Sequence, residues 1–119
     1  MIFAGFVRDI ESFYQAIDMF VFPVLFEGLG TSLLASMAHS VPSVTYFGCA
    51  LGEIIENAKS GLQVEPRNPQ ALAQAIRSIL NNKEFAAQLG GAGRHRIGQL
   101  FSAERMVDET LRLYHEVAP

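Results

Sequence analysis

Short runs of consecutive apolar residues alternate along this chain with stretches in which apolar positions recur every third or fourth place, the pattern of brief strands exchanged with amphipathic helices. Residues 2–5 form the first apolar run and read as a strand opening at the first residue, which predicts that further structure precedes it. Asp9 then caps a helix with Ile10, Phe13, Tyr14 and Ile17 on one face. Met19, Phe20, Val21 and Phe22, closed by Pro23, read as a strand apolar on both faces, hence a buried parallel strand covered by helices on each side. Leu33, Leu34, Met37 and Ala38 follow helical spacing, and Pro42 precedes a β-prone run at 43–46. A short helix is expected over 53–57, a stop at Ser60 and Gly61, and a strand at 62–64 closed by Pro66.

Asn68 with Pro69 behind it opens the most clearly marked helix, whose buried stripe is Leu72, Ile76, Ile79 and Leu80. Residues 83–89 are helical in propensity. Gly90, Gly91, Gly93 and Gly98 then interrupt the pattern, each costing up to about 1 kcal/mol relative to alanine, so a break in that helix is expected. Ser102 caps a last helix with Met106, Val107, Leu111 and Tyr114 facing inward. The alternation predicts an α/β fold, a Rossmann-like doubly wound parallel sheet.

Composition narrows the functional classes. The chain has 119 residues, the span of one domain, with half of them apolar and only 18% charged, which favours a packed core over disorder. Nine Lys and Arg are scattered and the net charge is −3, so no footprint for nucleic acid is visible. No apolar stretch approaches the roughly 20 residues of a membrane span, and the start has no basic flank of the signal-peptide kind. The single cysteine, Cys49, has no partner for an internal disulfide and no neighbours at metal-ligand spacing; it reads as a small packing residue in a reducing, cytoplasmic setting. No metal site is expected.

Candidate chemistry centres on "FPVLFEGLGTSLLASMAHSVPSV", residues 22–44, where one carboxylate and two glycines separate a strand from a helix. Ligands of open α/β sheets bind outside the carboxyl ends of strands, and residues 24–30 are such a loop. Gly28 and Gly30 allow close backbone approach, and the amides around Thr31 and Ser32 carry the positive end of the helix dipole toward a phosphate. Glu27 accepts hydrogen bonds only, which suits a ligand bringing hydroxyls beside a phosphate, such as a nucleotide sugar. The plainer alternative is a solvated carboxylate favoured by its own helix.

In their order and spacing "IFAGFV", "FYQAIDMFVFPVLFEGLGTSLLASMAHSVPSV", "EII", "SGLQVEP", "NPQALAQAI" and "LYHEV" resemble glycosyltransferases of GT-B fold, the group 1 retaining family with its Glu-x7-Glu motif. The resemblance implies the later part of a C-terminal, donor-binding domain, with the first βα units and the N-terminal acceptor domain lying outside this sequence. It implies that Glu27 is the catalytic-site carboxylate contacting donor sugar hydroxyls, and that Gly28, Leu29, Gly30, Thr31 and Ser32 line the donor subsite without a metal or cofactor.

The second family glutamate, which would bind the ribose hydroxyls, falls on Ala35, with Ser36 beside it as a weak substitute. The family Pro-Ser is Pro23-Val24 here, and a turn glycine is Ser40. By resemblance, transfer of a hexosyl-type group with retention is expected, from a cytoplasmic enzyme whose full-length form is peripheral to the membrane. The isolated chain is expected to be inactive, needing the acceptor domain in cis or trans. Loss of the first strands leaves an open sheet edge, which predicts homo-oligomers. A non-catalytic α/β scaffold derived from such an enzyme is the alternative; a receiver or flavodoxin-like domain fits poorly, because its acidic cluster or flavin phosphate loop is missing.

His39 reads as a helix-end cap, and His95 and His115 as solvent-facing. Glu53 matches a family glutamate bordering the donor pocket, although stabilisation of its helix N-terminus explains it as well. Arg8, Tyr46 and Phe47 are further polar or aromatic neighbours of the expected nucleotide region.

Overall fold

The computed structural model describes residues 1–48 and 50–118; the reading of Cys49 falls outside them. The elements run α1 (Ile10–Ala16), β1 (Phe20–Phe22), α2 (Thr31–Ala38), β2 (Ser43–Tyr46), α3 (Leu51–Ile54), β3 (Leu62–Val64), α4 (Pro69–Leu80), α5 (Lys83–Leu100) and α6 (Ala103–Val117). The strands form one parallel sheet in the order β1-β2-β3, with Phe22 opposite Thr45 and Thr45 opposite Gln63.

Side-chain alternation along the strands divides the core between two faces. On one, Leu33 and Met37 of α2 pack with Leu51 and Ile54 of α3, Ile55 and Ile97 of α5, against Phe20 and Phe22. On the other, Val44 meets Ala75 and Ile79 of α4 and Leu89 of α5. Helices on both faces of a parallel sheet make this a partial Rossmann-like, doubly wound α/β fold, as the sequence pattern implies.

Helix ends follow the sequence signals. The Asp9 side chain accepts from Ser12 N, Asn68 from Ala71 N, and Ser102 from Arg105 N. The hydrogen bonds from Ser12 hold the Asp9 carboxyl below its ordinary pKa. α2 ends in a Schellman motif: Ser40 N donates to Met37 O and Val41 N to Ser36 O, both at 3.0 Å. Ser40 stands in the left-handed position of that motif with φ 61°, which gives a physical reason for the glycine the resemblance expects there. Arg96 ties α5 to the end of α3, donating through Nε to Ile54 O and through a terminal nitrogen to Glu53 O, each at 2.8 Å.

Several expectations are corrected. Residues 2–5 are not a strand; Ile2 and Phe3 are about nine-tenths exposed or more. Among the described residues the sheet has three strands, and none lies on the outer side of β1 for residues 2–5 to join. For the same reason β1 is a half-buried edge strand rather than a fully covered one. The short helix α3 begins before the expected 53–57. Leu80 is exposed, and Ala75 takes its place in the α4 stripe.

α5 is unbroken through all four of its glycines. Two of them permit contact that propensity cannot register: an added Cβ at Gly90 would stand 2.0 Å from Ser40 O, and one at Gly93 would stand 3.1 Å from Ser60 O. The helix therefore lies hard against the turns that lead into β2 and β3, at the amino ends of the strands. α6 differs most from expectation. Met106, Val107, Leu111 and Tyr114 are all exposed, and the helix buries no residue. Its apolar stripe is real, but nothing among the described residues covers it.

Candidate functional site

The loop at 24–30 leaves the carboxyl end of β1 and turns directly into α2. Gly30 makes the turn in the left-handed region, φ 69° and ψ 52°, and is buried. An added Cβ there would lie 3.2 Å from Leu51 Cδ2 and 3.5 Å from Glu27 Cγ, so glycine serves both the dihedral and the packing. Because the N-cap is a glycine, its side chain cannot cap α2, and among the described residues no side chain accepts from the first-turn amides, which carry the positive end of the dipole.

Glu27 sits half-buried beside this uncapped end, with Oε1 accepting from Gly28 N at 2.9 Å. That bond ties one oxygen of the carboxylate to the loop. Gly28 has open space around it, Thr31 is exposed and Ser32 half-buried. Glu27, Gly28, Gly30, Thr31 and Ser32 thus converge on one end of α2.

Leu29 is half exposed and lies on a different surface. With Leu34, Leu100, Phe101, Arg105 and Met106 it lines a cavity of about 400 Å³ between α2 and the α5–α6 elbow. Ala35 is half-buried one turn behind Thr31 on the same helix face, and its carbonyl accepts from His39 Nδ1 at 2.8 Å. Ser36 is not available in its place: it is fully buried, donates to Leu33 O at 2.9 Å and pairs with Ser43 Oγ at 3.1 Å.

Two further loops share this edge of the sheet. Tyr46 ends β2 and Phe47 follows it, 43% exposed and donating its N–H to Val64 O. Arg67, exposed and at φ 58°, follows β3. Glu53 is exposed on α3, Arg8 precedes α1, and His95 and His115 face solvent, while His39 caps the end of α2. Sequence reading missed the role of Tyr14, whose hydroxyl donates to Ser32 O at 3.1 Å; the available signal was a lone hydroxyl on the apolar face of α1. No helix among the described residues is long and apolar enough to cross a membrane.

Residues 1–82 match the family model described as Glycosyl transferases group 1. Among curated relatives, the chain is 29% identical over 109 residues to the capsular polysaccharide biosynthesis glycosyltransferase CapM of Staphylococcus aureus, covering 92% of this chain and 29% of CapM. It is 28% identical to O-antigen chain mannosyltransferase C of Escherichia coli, covering 96% of this chain and 32% of that protein. Among solved structures, TarM of S. aureus in complex with fondaparinux, α-GlcNAc-glycerol and UDP superposes with a TM-score of 0.87 at 25% identity, over 93% of this chain and 23% of TarM. Sucrose-phosphate synthase from Thermosynechococcus elongatus gives 0.83 at 30% identity, over 88% of this chain and 26% of that one. The chain therefore spans less than a third of the length of these relatives.

Proposed function

Since the chain belongs to the group 1 glycosyltransferases, we propose that it forms the donor-binding part of such an enzyme, holding a nucleotide sugar for transfer of a hexosyl group to an acceptor. The observation that carries this reading is the uncapped amino end of α2 with Glu27 fixed beside it, at the carboxyl edge of a parallel sheet. The Gly28, Gly30, Thr31 and Ser32 backbone would meet the diphosphate and Glu27 the sugar hydroxyls. Leu29 contributes its backbone there while its side chain turns to the cavity. UDP is the nucleotide of choice because the TarM complex contains it, and a hexosyl unit is supported by the relative named a mannosyltransferase.

The isolated chain is inactive in this reading, since transfer requires an acceptor held against the sugar with water excluded. The open face of α6 and the cavity beneath it offer apolar surface for the remainder of the enzyme, supplied in cis or trans. Alone, the outer edge of β1 should also pair between copies. Light scattering is expected to give a mass rising above 13.1 kDa with concentration, whereas a monomer at every concentration would contradict the pairing.

Ala35 supplies the sharpest test. A methyl group accepts no hydrogen bond from ribose, and a charge-assisted bond there is worth roughly ten- to a hundredfold in affinity. Ala35→Glu is therefore expected to bind UDP more tightly than the natural chain by about that factor in titration calorimetry. Failure of both chains to bind UDP would favour the second reading, a scaffold whose pocket lapsed with that carboxylate.

A further inference from the structure

We propose that Tyr14 is a positioning residue for the donor site, its hydroxyl holding the first turn of α2 through the Ser32 carbonyl and its ring holding the last turn through His39. The inference rests on the donor-binding reading above.

α2 lacks a side-chain cap at Gly30, so its first turn has nothing of its own to fix it against the loop. Tyr14 reaches that turn from α1. It is only 4% exposed, while Glu11, Ser12, Gln15 and Ala16 around it on α1 are open to solvent. The hydroxyl donates to Ser32 O at 3.1 Å, in the turn whose amides face the phosphate position.

The ring stacks on His39 with centroids 5.3 Å apart and 27° between planes, and meets Phe13 and Phe20 edge-on. His39 in turn bonds the Ala35 carbonyl through Nδ1, which must carry the proton because a carbonyl only accepts. One side chain thus touches α2 near its second residue and again at its cap, spanning the whole helix. Phenylalanine would fill the same space, so packing alone does not explain the hydroxyl. Burial raises the hydroxyl above its ordinary pKa, further from neutral pH, where a phenol is in any case protonated and donates.

The test compares the natural chain with Tyr14→Phe, which keeps the ring contacts, and with Phe13→Leu, which alters packing alone. Amide hydrogen exchange reads the turn directly, because Leu34 N donates to Gly30 O in the first hydrogen-bonded turn of α2. Tyr14→Phe is expected to speed exchange at Leu34 by about three- to tenfold, the worth of one such hydrogen bond, with α4 amides such as Ile79 unchanged. UDP affinity should fall by a similar factor. Phe13→Leu should move all amides together. Unchanged exchange at Leu34 in Tyr14→Phe, or an equal rise in α4, would overturn the proposal. If the natural chain binds no UDP, the donor reading fails, and the exchange comparison still decides whether Tyr14 holds the turn.

Discussion

Gly90→Ala is expected to destabilise the protein by at least about 3 kcal/mol, while Gly91→Ala, the next residue of the same helix, stabilises it by about 0.5–1 kcal/mol. The two sites share a helix and a chemistry and differ in what stands opposite. At Gly90 a Cβ would be placed 2.0 Å from the Ser40 carbonyl oxygen, with the Ser40 carbonyl carbon at 2.9 Å and Pro42 N at 3.6 Å. All three are backbone atoms of the turn between α2 and β2, so no side chain can swing aside. Relief requires α5 to lift from the sheet, loosening Leu89 and Ile97, which belong to opposite faces of the core.

At Gly91 nothing lies within 4 Å, and alanine there gains only helix propensity. Since a domain of this size is stable by only about 5–15 kcal/mol, the first change takes a large part of the total. Urea unfolding followed by circular dichroism measures both, and equal midpoints for the two variants would refute the close approach.

The second large effect concerns Glu27. Glu27→Ala is expected to weaken binding of UDP-hexoses by roughly ten- to a hundredfold while leaving UDP itself unaffected, because a carboxylate on sugar hydroxyls makes charge-assisted hydrogen bonds that UDP cannot use. The Oε1 bond to Gly28 N keeps the carboxylate oriented before the ligand arrives, so little ordering cost attends binding. Glu27→Gln should lie between the two, retaining shape and one acceptor oxygen. Titration of the three chains with UDP and with UDP-glucose, UDP-galactose and UDP-N-acetylglucosamine resolves the sugar increment. Equal loss for UDP and its sugars in Glu27→Ala would place the carboxylate away from the sugar.

Much of this is legible in the chain because local chemistry decides it. The strand at 43–46, the strand at 62–64 and the Asn68–Pro69 helix start are set by proline, β-branched residues and a capping side chain, and the structure places them where those signals stand. What local chemistry cannot express is the partner. Periodicity shows that Met106, Val107, Leu111 and Tyr114 share a face, but not that any surface covers it. The same holds for the apolar opening segment, whose β pattern meets no neighbouring strand among the described residues.

Propensity treats Gly90 and Gly91 alike, since it knows nothing of the Ser40 carbonyl. Left-handed dihedrals at Ser40, Ala58 and Arg67 are likewise invisible where the residue is not glycine. In the candidate site, Glu27, Gly28, Gly30, Thr31 and Ser32 were readable as a loop entering a helix. The consumption of Ser36 by Ser43 and the reach of Tyr14 to Ser32 depend on tertiary contacts seven and eighteen residues apart.

In the proposed function the amino end of α2 receives a nucleotide sugar. Amide chemical-shift mapping of the natural chain during titration with UDP-glucose tests it most directly. The expected result is saturable shifts concentrated at Gly28, Gly30, Thr31 and Ser32, with smaller ones at Tyr46 and Phe47 and none along α4. Shifts absent throughout, or confined to α4 and α6, would contradict it.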